Sequence, residues 1–229
     1  MMNKFVFGLF AIIILSIVSC GTDEVRNESS SLKSYFFPQD SIKPYIYVYA
    51  DEKHPVDEKF YRMYTLNTKE KHHLVVERFN ANFRITEGFS YDLDDSLKVV
   101  DHMVVDAHGK KRRAHITTGQ LYPFSPDGSA IFISDFPAHI DSMMGVYKSK
   151  KIVVDSMDYK IFDNSTRAIK VKDEITLSFV NPSTQEGGSN KVEIERVYAK
   201  GYGLTEWYTT DDKVHFKLKR ILSNEWWKE

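Results

Sequence analysis

From Pro44 to the C-terminus the chain breaks into short runs in which apolar and polar residues alternate. No window longer than about ten residues carries an apolar stripe at helical spacing. Tyr45-Ile46-Tyr47-Val48-Tyr49, Phe60 to Thr65, His73 to Phe79, Phe83 to Tyr91 and Leu97 to Asp106 have the period of two that puts successive side chains on opposite faces of a strand. Later runs of the same kind are Arg113–Thr117, Ala130–Ser134, Lys151–Ile161, Ala168–Val180, Lys191–Tyr198, Leu204–Thr209 and Val214–Ile221. The best helical candidate is short, around Ala138 to Met144. These runs predict an all-β fold with few short helices. The chain holds a single cysteine among its 229 residues, so no disulfide can form within it and the fold must rest on its core. Residues 35–229 are expected to form one domain.

That cysteine, Cys20, ends a basic-then-apolar start made of Lys4 and the run Phe5 to Val18. The run falls short of the roughly 20 residues that span a bilayer as a helix. Ile17-Val18-Ser19-Cys20-Gly21 resembles the lipobox of bacterial lipoproteins, which the lipoprotein signal peptidase cuts before the cysteine. The resemblance implies loss of residues 1–19 as signal peptide and acylation of Cys20 by palmitate-like chains. It also implies a membrane partner through that anchor and residence at the outer membrane, on the periplasmic face or at the cell surface. Residues 20–34, polar and Ser-rich through Asn27-Glu28-Ser29-Ser30-Ser31, read as a flexible tether. The acidic pair Asp23-Glu24 resembles the surface-export signal of Bacteroidota lipoproteins.

Charge excludes one large class of partner. There are 31 Lys and Arg against 32 Asp and Glu, which gives no electrostatic reason to expect nucleic acid. Two turns follow from residue type. Pro126-Asp127-Gly128 places Pro where φ near −65° is wanted and Gly128 where φ turns positive. His108-Gly109 suits a two-residue hairpin, which would set His102 directly across from His115 on one sheet face. Two imidazoles so placed lack the third protein ligand a catalytic zinc needs, so neither a metal site nor a cofactor is expected and a metal-dependent hydrolase is a remote alternative. No catalytic residue is assigned: Asp127-Gly128-Ser129 lacks the Gly-x-Ser-x-Gly of a nucleophile elbow. The polar stretch Asn181 to Asn190 is expected as a long mobile loop, and Trp226-Trp227 as a cap on the last sheet edge.

Tyr198-Ala199-Lys200-Gly201-Tyr202-Gly203-Leu204-Thr205-Glu206-Trp207 resembles a strand-turn-strand element of uncharacterised periplasmic and lipoprotein domains, with Thr205 and Glu206 standing where Val and Lys are commoner. Those domains are built as large sheets curled into open barrels and are distantly similar to lipoprotein-localisation carriers. The resemblance therefore implies one large antiparallel sheet strongly curved into an open or incomplete barrel, with a β-sandwich as the alternative. Gly201 and Gly203 are expected to make a turn closed to other residues. The remaining feature is the stripe Tyr45, Tyr47, Tyr49, continued by Tyr61 and Met63, which reads either as packed core or, in an open half-barrel, as the lining of an apolar groove for an acyl ligand. The expected role is therefore a non-enzymatic, lipid-anchored envelope protein binding an apolar ligand. The alternative is a structural subunit with an envelope protein partner.

Overall fold

Period-two patterning becomes thirteen antiparallel strands in one sheet, seen in a computed structural model that describes residues 28–38, 42–70, 72–94, 97–106, 108–124, 128–138, 142–211, 213–223 and 225. Cys20, the leader, Asp127 and Trp226-Trp227 lie outside the described residues. The first half of the sheet holds β1 (Tyr45–Asp51), β2 (Glu58–Asn67), β3 (His72–Phe79), β4 (Ile85–Asp92), β5 (Val99–Val105) and β6 (Lys111–Arg113). The second half holds β7 (His115–Gly119), β8 (Ser129–Pro137), β9 (Met144–Ile161), β10 (Asn164–Val180), β11 (Gly187–Ala199), β12 (Gly203–Thr209) and β13 (His215–Ser223). Strand order is β6-β5-β4-β3-β2-β1-β13-β12-β11-β10-β9-β8-β7, so the two ends of the sheet are consecutive in sequence, joined by Ala114 alone. Ala114 N donates to His102 O at 2.8 Å, drawing the two ends together. The sheet is a nearly closed barrel with one unsealed seam, not a sandwich.

Register fixes one set of side chains inside. Tyr47 faces Tyr61, Tyr61 faces Arg78, and Arg78 faces Glu87 across β1 to β4; Val76 faces Phe89, which faces His102 across β3 to β5. On the other wall Ser134 faces Tyr147 and Lys151 faces Asp173. Leu74, Val76, Tyr49, Phe132, Val171, Trp207 and Phe216 belong to the same inner core. Each such side chain, fully buried, contributes roughly 1.5–3 kcal/mol. A small second cluster, Ile46, Val48, Phe60 and Phe79, packs on the outer face of β1 to β3.

Two segments fill the barrel that alternation alone would leave hollow. Helix α1 (Glu28–Phe36) sends Leu32 and Phe36, four residues apart and so on one face, into the core. Leu121 and Tyr122, just past β7, enter beside it, and Tyr122 packs on Phe36, Phe37 and Tyr198 with ring centroids 4.7, 5.2 and 5.9 Å away.

Three expectations are corrected, and a fourth falls partly outside the described residues. The stretch 20–34, expected as tether, is helical from Glu28, because Leu32 and Phe36 find an apolar seat. Of the short helix expected around Ala138 to Met144, residues 139–141 lie outside the described residues; at its ends Ala138 N donates to Met143 O, Ser142 has φ 63°, and Met144 already belongs to β9. Asn181 to Asn190 is not one long loop. Asn181 Oδ1 accepts from the Ser183 and Thr184 amides, Gln185 N donates to Asn181 O, and β11 begins at Gly187. The hairpin at His108-Gly109 has three loop residues rather than two. Asp106 N donates to Lys110 O, Asp106 Oδ1 accepts from the amides of His108 and Lys110, and Gly109 takes the left-handed position with φ 74°.

Gly201 and Gly203 have φ of 81° and 76°, as their turn requires. They also seat α1. Gly201 N donates to Ser34 O, one of the carbonyls a helix leaves unpaired at its end, and a Cβ on Gly203 would meet Pro38 Cδ at 3.2 Å. Gly201→Ala should therefore cost about 1 kcal/mol from backbone strain alone, and Gly203→Val about 2–3 kcal/mol because helix docking suffers too. Urea unfolding of the two variants checks the order.

Candidate functional site: a charged chamber and an apolar mouth

Inside the barrel five ionisable residues meet, each in phase with apolar neighbours on its strand. Arg78 follows Leu74 and Val76 on β3, and Glu87 precedes Phe89 and Tyr91 on β4. On β9 to β11, Lys151, Asp173 and Arg196 point inward in the same way. Asp173 is fully buried and receives Arg196 Nε at 2.9 Å, Lys151 Nζ at 3.2 Å and Ser149 Oγ at 2.6 Å, while Lys151 Nζ also donates to Ser149 Oγ at 2.8 Å. Arg78 Nη1 donates to Glu87 at 2.5 Å, and its guanidinium lies 5.2 Å over the Tyr61 ring and 5.1 Å over Phe89.

Burial alone would raise both carboxylates. For Glu87 the Arg78 charge and the His102 hydrogen bond win, holding its pKa at about 2; for Asp173 the Lys151 and Arg196 charges do the same, also to about 2. Burial pulls Lys151 down to about 8, with Asp173 opposing the fall. Burial also raises the phenols of Tyr91, Tyr122, Tyr147 and Tyr198. The cavity these groups border is small, about 40 Å³, and is lined by Arg78, Lys151, Arg196, Tyr147, Tyr198 and Phe37 among others.

His102 bridges the two sides of the seam without sealing it. Its ring stacks on Phe89 at 4.4 Å between centroids, Nε2 donates to Glu87 Oε1 at 3.0 Å, and Nδ1 lies 3.0 Å from Ser134 Oγ on β8. The carboxylate can only accept, which fixes the proton on Nε2. Ser, His and Glu stand here in the order of a hydrolase triad, yet Ser134 is 0% and His102 1% exposed, so no substrate reaches the hydroxyl and the chain serves as a latch between β4, β5 and β8.

A larger space lies at the barrel mouth beside α1. It measures about 610 Å³ and is lined by Phe37, Pro38, Leu74 and Leu93 together with the polar Lys33, Ser34, Thr65, His72, Thr166 and Lys200 and with Gly201; Lys33 Nζ donates to Leu93 O. Thr65 is buried and its Oγ1 has no hydrogen-bond partner.

Of the residues expected to line a groove, Tyr61 and Met63 border the chamber. Tyr47 and Tyr49 are consumed by the core, where Tyr49 OH donates to Leu204 O at 2.8 Å and its ring packs 4.8 Å from Trp207. Tyr45 remains 39% exposed. Gly109, Gly201 and Gly203 hold turn conformations, whereas Gly128 adjoins residues outside the described set. His102 and His115 are not neighbours. The three-residue loop shifts the register by one, so Met103 faces Arg113; His102 points inward through its pairing with Phe89, and His115 is exposed and bound to Asp135 at 2.9 Å. Among the described residues no three metal-ligating side chains converge. Thr205 and Glu206, where the C-terminal element departs from its likenesses, both find partners: Thr205 Oγ1 donates to Val197 O, and Glu206 accepts from Tyr159 and His215.

Sequence reasoning missed the interior ions. A signal existed: Arg78, Glu87, Asp173 and Arg196 each sit two residues from an apolar inward position, which marks them for the inner face.

No family model matches this chain, and no curated protein matches it. Among solved structures it is similar to a candidate lipoprotein from Parabacteroides distasonis ATCC 8503, at 10% identity and a TM-score of 0.45, covering 82% of this chain and 98% of that one. At that level nothing about activity transfers.

Both interior carboxylates bind protons less tightly folded than unfolded. Their stabilisation is thus complete above about pH 5 and is lost as pH falls toward 2, amounting to about 2–3 kcal/mol each. Guanidinium unfolding at pH 5 and pH 3 should show this fall, and Glu87→Gln should reduce it by roughly half. Ser134→Ala, which leaves Nδ1 of His102 buried and unpaired, should cost about 1–3 kcal/mol at neutral pH.

Proposed function

We propose that this chain is a non-enzymatic, lipid-anchored lipoprotein of a bacterial outer membrane that holds the apolar part of an amphiphile in the groove at its barrel mouth. The observation that carries the reading is that groove: about 610 Å³, walled by Phe37, Pro38, Leu74 and Leu93, with one unpaired buried hydroxyl on Thr65 and lysines 33 and 200 among its polar lining. Ligand pockets of this size are mostly apolar with a few placed polar groups. Lys200 suits an anionic head, while Lys33 Nζ is bonded to Leu93 O. Support for the envelope comes from the Cys20 lipobox and from the likeness of Tyr198–Trp207 to periplasmic open-barrel domains. The acyl site expected along Tyr45, Tyr47 and Tyr49 is moved to the mouth, since those rings are packed or outside the cavity.

A second reading, a subunit of an envelope assembly, is favoured by one edge. Strand β12 covers only Ile194–Ala199 of β11, so residues 187–192 offer a free backbone edge among the described residues.

Native mass spectrometry of the protein purified without detergent tests the first reading. Retained lipid mass is expected, together with saturable binding of a fluorescent sixteen-carbon fatty acid that Leu93→Glu weakens at least tenfold. A clean apo mass with no saturable fluorescence would sink it. Labelled palmitate should enter the wild-type chain in cells and not Cys20→Ala.

A further inference from the structure

The chamber carries more positive charge than its own acids neutralise. Arg78, Lys151 and Arg196 line it, and the carboxylates that answer them are Glu87 and Asp173. Both acids are ionised at neutral pH. The surrounding phenols are pushed upward by burial and supply no negative charge, while a proton on His102 would only add to the excess. One positive charge is left over in an enclosure where an unpaired ion is expensive.

The excess can be removed by discharging Lys151 or by admitting an anion. At pH 7 the lysine, pulled to about 8, is still mostly charged. Arg78 lines the cavity, and 33% of its side chain is accessible; its Nε is buried without a hydrogen-bond partner among the described residues. A volume of about 40 Å³ holds about three waters or one carboxylate-sized group. Tyr61, Tyr147 and Tyr198 complete the wall.

We propose that this chamber is a binding site for one small oxyanion, a carboxylate or a phosphate, held by Arg78, Arg196 and Lys151 among the tyrosines. The guanidinium fork matches two oxygens of such a group, and Lys151 contributes a point charge. The oxyanion is either free or the head of a larger molecule. The site stands independently of the mouth groove, from which Phe37 separates it.

Calorimetric titration of the purified protein with sodium acetate, sodium phosphate and sodium dodecanoate, at pH 7 and constant ionic strength set with chloride, decides the matter. Saturable binding of acetate or phosphate that Lys151→Met weakens at least tenfold assigns a free oxyanion. The same loss seen with dodecanoate alone assigns the head group of an amphiphile. No saturable binding of any of the three, or binding that Lys151→Met weakens less than tenfold, overturns the proposal. Should that variant fail to fold, the wild-type protein suffices: affinity for the bound anion should drop at least tenfold between pH 7 and 9.5 as Lys151 discharges, and a flat profile overturns the site. Leu93→Glu should leave acetate binding unchanged, so failure of the chamber and failure of the groove are told apart.

Discussion

His102 joins two strands that stand near opposite ends of the sheet. Its Nε2 donates to Glu87 on β4 and its Nδ1 meets Ser134 on β8, while the backbone of the same residue receives Ala114, the residue that links the two edges. All three side chains sit where water would have to be replaced if the contact opened, and a desolvated polar group without a partner costs about 1–3 kcal/mol. The contact draws β4, β5 and β8 together across the seam. Within the barrel the neighbouring cations hold Asp173 and Glu87 ionised down to about pH 2.

Much of the architecture could be read from alternation. The runs at Tyr45–Tyr49, His73–Phe79 and Lys191–Tyr198 all form strands, and the pairing of Tyr47 with Tyr61 and of Tyr45 with Met63 follows from a shared face. What alternation could not supply was the filling. Helix α1 owes its place to Leu32 and Phe36 meeting Tyr122 and Tyr198, a tertiary contact that a nine-residue helix, too short to hold alone, needs. The hairpin at Gly109 shows how small an error redirects a site. Asp106 accepting two amides adds one loop residue, and that single step removes His115 from the face of His102, whose inward side is set by its pairing with Phe89. The chamber's ions were in view as inward-phased charges on apolar strands, but which of them meet depends on strand order across the barrel, and a lone sequence does not disclose that.

Buried ion pairs of this kind add little net stability, since desolvation consumes most of the attraction, but they punish wrong arrangements. Lys151 faces Asp173 directly. Were β9 to slip by one residue, Lys150 would turn inward and Lys151 outward, the polarity of the whole strand would invert, and the Ser149–Asp173 bond would break with it. The eighteen-residue β9 and seventeen-residue β10 carry facing ion pairs, exposed Arg167–Asp158 and buried Lys151–Asp173, and a slip would put the buried one out of register at the greater cost.

Phe37 stands as the common wall of the mouth groove and the inner chamber, with its ring 5.1 Å from Tyr91 and 5.2 Å from Tyr122. While that ring stays in place the two compartments bind independently. If an occupant of one displaces the ring, it alters the shape offered to an occupant of the other, and reciprocity demands that the second perturb the first by the same free energy. A molecule able to reach past that ring would fill both spaces at once, its greasy end outside and its charged end within.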